Sequence, residues 1–231
     1  VMMELAEIPN DARVLDAGCG VGGAAVFLSE QKNARVTGIT LSEKQIEFAT
    51  ALAKKKGLSD KVDFQLMNYT ETSFQDESFD VIWACESVSS CPDKSLFIKE
   101  AHRLLKKGGR LIMSDCFLTS EEQRDSEDWV KKWGATWAVS SLGTSQAFAD
   151  KLDEVGFEST QVIDYTKDIQ KSAKRMYNAS VLATIPSRLY NFLHPKVSRF
   201  AKDHYKCGIY QYKALKADLW KYELITSIKK S

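Results

Sequence analysis

A strand that runs into a cluster of glycines constrains this chain more than any other feature. Val14-Leu15-Asp16-Ala17 is apolar but for one carboxylate, and it leads into Gly18-Cys19-Gly20-Val21-Gly22-Gly23. Glycines at the end of a first strand let the backbone approach a ligand closely and open the helix that follows. A strand, a glycine turn and a helix, in that order, begin a parallel α/β unit. Gly18, Gly20 and Gly23 satisfy the G-x-G-x-x-G spacing of dinucleotide-binding turns. Asp16 argues against that reading. A dinucleotide lays a pyrophosphate over the turn, and a carboxylate two residues before the first glycine would repel it. A ligand that brings positive charge to the strand end suits Asp16 instead. The plainer reading of Asp16 is a solvated strand end.

The pattern repeats along the first two thirds of the chain. Strands are predicted at Arg13–Asp16, Arg35–Ile39, Val62–Leu66, Phe79–Ala84 and Arg110–Ser114. Helices are predicted from Gly22 to about Glu30, at Ser42–Lys56 and at Lys94–Leu105. Ser42 with Gln45 three residues on is a capping-box arrangement, and Ile46, Ala49, Leu52 and Ala53 recur at helical spacing. This alternation predicts a doubly wound, mostly parallel sheet covered on both faces. The end of the second strand supplies a further check. Dinucleotide folds place an acidic residue there for the ribose hydroxyls. This chain has Thr40, Leu41 and Gln45 instead, two neutral hydrogen-bonding groups and an apolar side chain. Helix capping is the plainer role for Gln45.

The last third differs. A helix at Ser145–Val155 and a strand at Ser159–Tyr165 are followed by an aromatic-rich helical stretch containing Met176, Tyr177, Leu182, Tyr190, Phe192, Leu193, Phe200 and Tyr205. Trp220–Ile228 then alternates like a terminal strand. The expected division is a ligand-binding domain over residues 1–166 and 219–231, and a helical insertion over residues 167–218. That insertion is either extra packing or a lid that binds substrate.

Bulk properties exclude several classes. Lys and Arg (32) nearly cancel Asp and Glu (31), which argues against a nucleic-acid platform. No apolar stretch is long enough for a membrane span, and no signal-like segment opens the chain. The odd number of cysteines (5) and the absence of C-x-x-C spacing argue against a disulfide framework or a zinc site, so a cytoplasmic setting is expected. The histidines, His102, His194 and His204, form no metal-ligand pattern, and no metal is expected. The chain starts at Val1, which leaves room for a further N-terminal piece. Oligomeric state is not legible.

Residues Val14 to Ser114 resemble the class I S-adenosylmethionine-dependent methyltransferases. They are most similar to the branch holding the tocopherol and sterol methyltransferases and the cyclopropane fatty acid synthases. Three segments carry the likeness: Leu15 to Gly23; Gly38-Ile39-Thr40-Leu41-Ser42-Glu43-Lys44-Gln45; and the run from Ser78-Phe79-Asp80 through Glu86-Ser87 and Cys91-Pro92-Asp93-Lys94 to Arg103-Leu104-Leu105-Lys106-Lys107-Gly108-Gly109. The second is the most specific, because most class I enzymes carry an acidic residue there. The resemblance implies a Rossmann-like α/β fold with a seven-stranded sheet and S-adenosyl-L-methionine as cofactor. Asp16, Gly18 and Gly20 would cradle its methionine part, and Thr40, Leu41 and Gln45 its ribose and adenine. Asn68 and Tyr69 would flank the adenine, where the family usually has Asp in place of Asn68. Trp83, Ala84 and Glu86 would lie in the methyl-transfer region.

One departure stands out. The branch commonly reads Glu-x-x-x-His-x-Pro after the fourth strand, and here Ser90 replaces the His in Glu86-Ser87-Val88-Ser89-Ser90-Cys91-Pro92. Mechanisms that need an imidazole base lose support. Methyl transfer from a sulfonium needs chiefly alignment and exclusion of water, with a base only where the acceptor loses a proton. The expected activity is methylation of a small apolar or amphipathic acceptor: isoprenoid, aromatic or amine. Glu86 is the candidate for orienting the acceptor or taking its proton, with Asp115 second to it. A protein of the same fold with a different activity, such as a cyclase, is the alternative.

Overall fold

A computed structural model describes residues 1–231 apart from residues 138, 140 and 141, and gives residues 199 and 200 as backbone only. The side chain of Phe200, one of the aromatics of the late helical stretch, therefore lies outside the described residues. In chain order the elements are α1 (Met2–Leu5), β1 (Arg13–Ala17), α2 (Gly23–Lys32), β2 (Arg35–Thr40), α3 (Glu43–Lys55), β3 (Val62–Leu66), β4 (Phe79–Cys85), α4 (Lys94–Leu104), β5 (Leu105–Leu118), α5 (Trp129–Trp137), α6 (Ser145–Val155), β6 (Phe157–Asp164), α7 (Thr166–Leu182), α8 (Thr184–Leu193), α9 (Arg199–Asp203), α10 (Cys207–Lys216) and β7 (Trp220–Lys229).

The strands form one seven-stranded sheet in the order β3-β2-β1-β4-β5-β7-β6. The pairs from β3 through β5 are all parallel. β7 runs against β6: the Tyr165 amide meets Tyr222 O at one end, and the Lys230 amide meets Gly156 O at the other. Strand order reverses between β1 and β4, the switch point at which open α/β sheets bind ligands.

The chain divides into two compact units. The first comprises Val1–Asp115, Ser145–Ile163 and Leu224–Ser231. Its central strands are largely apolar because helices cover both faces: Val14, Leu15, Val36, Ile39, Val81, Ile82, Leu111 and Ile112 are buried. Phe97, Ile98, Ala101 and Leu104 recur at helical spacing in α4 and are buried as well.

The strand predicted at Arg110–Ser114 is longer, Leu105–Leu118, for an instructive reason. Leu105 pairs with Phe79, but the next pairing is Arg110 with Val81. Lys106 to Gly109 thus bulge out opposite Asp80 alone. Gly109 fits there because a Cβ would stand 2.8 Å from Lys106 O. Lys106 Nζ, 2.6 Å from Asp80, ties the bulge to its partner strand.

The second unit comprises Cys116–Thr144 and Asp164–Glu223. It joins α5 to the helical stretch that sequence patterning singled out. Trp133 and Trp220 are buried at its centre with ring centroids 4.9 Å apart, packed with Ala173, Cys207, Ala214, Leu215 and Leu219. Gly208 lets α10 approach α7 closely, since a Cβ there would fall 2.7 Å from Met176 O. Among the described residues, no helix is long and apolar enough to cross a membrane.

Candidate functional site

A cavity of about 740 Å³ opens at the carboxyl ends of the strands beside the switch point, wholly within the first unit. β1 contributes Asp16 and its glycine turn, β2 contributes Thr40 and Leu41, α3 contributes Gln45, the segment after β3 contributes Asn68 and Tyr69, and β4 contributes Cys85 and Glu86. Such a volume lies within the usual range of small-molecule pockets.

The glycine turn is shaped by contact as much as by backbone freedom. Gly18 has φ 87°, and a Cβ there would stand 2.4 Å from Ser87 Cβ. Ser87 Oγ donates to Ala17 O at 2.6 Å, so the loop after β4 is bonded to the end of β1. The amides of Gly18 and Cys19 donate to Ile39 O at 3.0 and 2.9 Å, which ties the same turn to β2. Three strand ends are thereby held around one cavity.

Asp16 is the chemically decisive group. It is 2 % exposed, and its Oδ2 has no hydrogen-bond partner. Burial pushes its carboxyl up to about 7, only partly offset by the Ala25 backbone amide. A solvated strand end would show neither property. A buried acceptor oxygen facing a cavity is costly unless a donor comes to it, and a cationic donor offsets the cost best.

At the end of β2, Thr40 Oγ1 donates to Gln45 Oε1 at 2.6 Å. The capping box forms only in half. Ser42 Oγ accepts from the Gln45 amide at 3.3 Å, while the Gln45 side chain turns to Thr40 instead of the cap amide. Its amide nitrogen remains available as a donor. Leu41 stands 75 % exposed at the cavity, an apolar surface with something to cover. Asn68 Oδ1 accepts from the Thr70 amide at 3.0 Å, which fixes the side chain in a turn and leaves one lone pair on that oxygen. Tyr69 donates to Ser87 O at 3.0 Å and packs edge-on against Phe97. Burial, with the charges of Cys91 and Asp115 behind it, holds the Tyr69 hydroxyl well above its usual range.

Glu86 lines the cavity in a left-handed conformation, φ 52°, with its amide donating to Ser114 O at 2.8 Å. A non-glycine residue held there is strained and marks the point where the chain leaves the strand abruptly. Ser90 also faces the cavity, at the position where the resembling branch carries an imidazole.

Three candidate site residues lie elsewhere. Trp83 and Ala84 are buried within β4 and do not line the cavity, although Trp83 Nε1 is left without a partner. Nor does Asp115 line the cavity. It lies within β5, is 2 % exposed, and accepts from the Ser89 amide at 2.8 Å, so it anchors the turn Val88–Ser90. His102 packs edge-on against Phe157. In the second unit, His194 stacks on Tyr190, and His204 Nδ1 lies 3.1 Å from Thr136 O. No cluster of His, Cys, Asp or Glu among the described residues could hold a metal ion. Cavity residues that sequence reading passed over include Cys85, Cys91, Met67 and Leu96. Met67 and Cys85 directly follow predicted strands and Cys91 lies in a segment that carries the likeness, whereas Leu96, inside the predicted helix Lys94–Leu105, had no such signal.

A family profile described as a methyltransferase domain matches residues 8–180. The 27-O-demethylrifamycin SV methyltransferase of Amycolatopsis mediterranei is 37 % identical over 158 residues, covering 67 % of this chain and 57 % of its own length. The probable chloroplastic tocopherol O-methyltransferase of Oryza sativa subsp. japonica is 41 % identical over 116 residues, covering 48 % of this chain and 32 % of its own length. The chain thus spans between about a third and three fifths of these relatives. In fold it is similar to a putative sarcosine dimethylglycine methyltransferase from Galdieria sulphuraria, with a TM-score of 0.83, 17 % identity, and coverage of 99 % of this chain and 81 % of that one.

Proposed function

The chain belongs to the methyltransferase-domain family, and from that premise we propose that its first unit binds S-adenosyl-L-methionine and methylates a small apolar or amphipathic molecule. One observation carries the cofactor assignment: Asp16, a buried carboxylate with an unpartnered oxygen, lines a cavity at the switch point of the sheet. The α-ammonium group of the methionine part is a donor of the charge that oxygen lacks. A pyrophosphate in that place would meet the same carboxylate with repulsion.

The surrounding groups fit the rest of the molecule. The Thr40–Gln45 pair offers neutral hydrogen bonds to ribose hydroxyls, and Leu41 covers an adenine face. Asn68 keeps one lone pair for the adenine amino group. When bound, the cofactor supplies a methyl group on a sulfonium, whose departure needs no acid. The protein's part is to align the acceptor and keep water out. Glu86 is the group we assign to orienting the acceptor or taking its proton. Trp83 and Ala84, buried behind the cavity wall, support it from within β4.

A small acceptor is supported by the cavity's size and by the relatives, which are named for tocopherol and for 27-O-demethylrifamycin SV. The aromatic content of residues 167–218 supports an apolar acceptor, and we retain that stretch as the substrate-binding insertion. All the cysteines are free thiols, which supports a reducing compartment such as the cytoplasm.

Titration calorimetry with S-adenosylhomocysteine and with NAD tests the cofactor assignment. Binding of the first and not the second is expected; the reverse would remove it. A mass-spectrometric screen across prenyl-quinol, sterol and amine acceptors tests the activity. A chain that binds the cofactor yet forms neither a methylated product nor S-adenosylhomocysteine would point to the cyclase-like alternative.

A further inference from the structure

The second unit carries an exposed apolar helical face. Ile185, Leu189, Phe192 and Leu193 of α8 are 80 %, 59 %, 81 % and 62 % exposed, and Leu182 at the end of α7 is 78 % exposed. Within α8 these residues fall at i, i+4, i+7 and i+8, one continuous stripe, while Ser187 and Asn191 fall on the opposite side and Arg188 at the stripe's edge. Scattered apolar residues on a surface need no explanation, but a contiguous stripe of large ones marks an interaction site.

Charge around the stripe is equally one-sided. The chain as a whole has a formal net charge of +1, yet from Lys171 through Lys216 it has ten Lys and Arg and a single acidic residue, Asp203. Near balance over the whole length conceals this local excess. Lys171, Lys174, Arg175, Arg188 and Lys196, from α7, α8 and the segment after it, are exposed.

We propose that this face docks on an anionic phospholipid surface. A short amphipathic helix with large apolar residues on one side, a cation at the edge of that side and further cations in the segments before and after it, has the form of an interfacial helix, which sinks its apolar face to the boundary of headgroups and acyl chains. The cations add attraction to anionic headgroups. The same two features argue against other occupants. A second copy of the chain would set the basic cluster against itself. A nucleic acid would use the cations but leave the apolar stripe in water. The proposal stands whether or not the first unit transfers methyl groups.

Vesicle co-sedimentation of the chain as it stands is the test. Vesicles of phosphatidylcholine mixed with phosphatidylglycerol should bind it about tenfold more tightly than vesicles of phosphatidylcholine alone, and added salt should weaken that binding. The double variant Ile185→Asp, Phe192→Asp should lose about tenfold in affinity with its circular dichroism unchanged, because both residues are exposed. Equal binding to the two vesicle types, no binding to either, or undiminished binding by the variant would overturn the proposal. So would a lipid-free dimer in sedimentation velocity that the variant dissociates, or tight binding to a DNA duplex without binding to vesicles.

Discussion

Burial holds the Asp16 carboxyl up at about 7, so in the free protein near neutral pH it is divided between its charged and neutral forms. Two consequences follow, with opposite signs. The unfolded chain ionises near the ordinary value of 3.8, so the unfolded state binds fewer protons than the native state between about pH 4 and 7. Stability of the free protein falls as pH rises through that window, by up to about 4 kcal/mol. Asp16→Asn should therefore melt higher than the wild type at pH 8, a difference that thermal melts should show narrowing toward pH 4. A cationic ligand needs the charged form. Affinity for S-adenosylhomocysteine should fall about tenfold for each unit below pH 7, and calorimetry on Asp16→Asn should find binding that is weak and flat across the same range. Asn68 makes a simpler case. Asn68→Asp keeps the acceptor and should bind as tightly or more tightly, whereas Asn68→Leu should lose about tenfold by leaving the adenine amino group unpaired. Wild-type binding by both variants would place Asn68 outside the cofactor site.

At the scale of elements, Arg103 is the residue whose loss should be felt most widely in the first unit. From α4 it bonds Glu100 at 2.7 Å, Asp76 at 2.6 Å and Phe74 O at 2.8 Å. Glu100 in turn accepts from both the amide and the hydroxyl of Thr72, at 2.8 and 2.6 Å. One guanidinium thus fastens the segment between β3 and β4 to α4. Glu100 is 9 % exposed, so Arg103→Met would leave a largely buried carboxylate short of its cation. Screening through the partly exposed arginine tempers the cost to about 2 kcal/mol, which urea denaturation would measure. Most of this unit was legible in the sequence because its signals were local: alternating apolar runs, glycine turns, and Ser42 at a helix start. What was not legible depended on partners distant in sequence. The bulge at Lys106–Gly109 exists only against Asp80. The turn of the Gln45 side chain away from the cap exists only because Thr40 meets it. The hydrogen bond to the Asp115 carboxylate comes from the Ser89 amide, 26 residues away in sequence. In the second unit, α5 had a signal that went unread. Trp129, Trp133 and Trp137 recur every fourth residue, and Asp125 accepts from the amides of Trp129 and Val130 at its start.

At the scale of the whole chain, the two units place different demands on ligand binding. The first holds its site through fixed contacts between strand ends, with the glycine turn bonded to β2 and to the loop after β4. Ligand should find that site largely formed. Its effect on stability is then one of mass action: at a hundred times its dissociation constant, S-adenosylhomocysteine should add about 2.7 kcal/mol. For a chain of this length that is a rise in melting temperature of roughly 5–10 °C. Hydrogen exchange should locate the gain at residues 16–22, 40–45 and 67–70, where the cavity is lined. The second unit exposes much of α7 and α8, and segments with few buried apolar side chains open at low free energy. Our reading of residues 167–218 as a substrate-binding insertion requires that stretch to respond to acceptor rather than to cofactor. Exchange there should be unchanged by S-adenosylhomocysteine alone and slowed when a methylatable acceptor is added with it. Slowing by cofactor alone would make the stretch part of the cofactor response. No slowing under any acceptor that the enzyme methylates would leave it as packing, and the acceptor would then have to be held by the first unit alone.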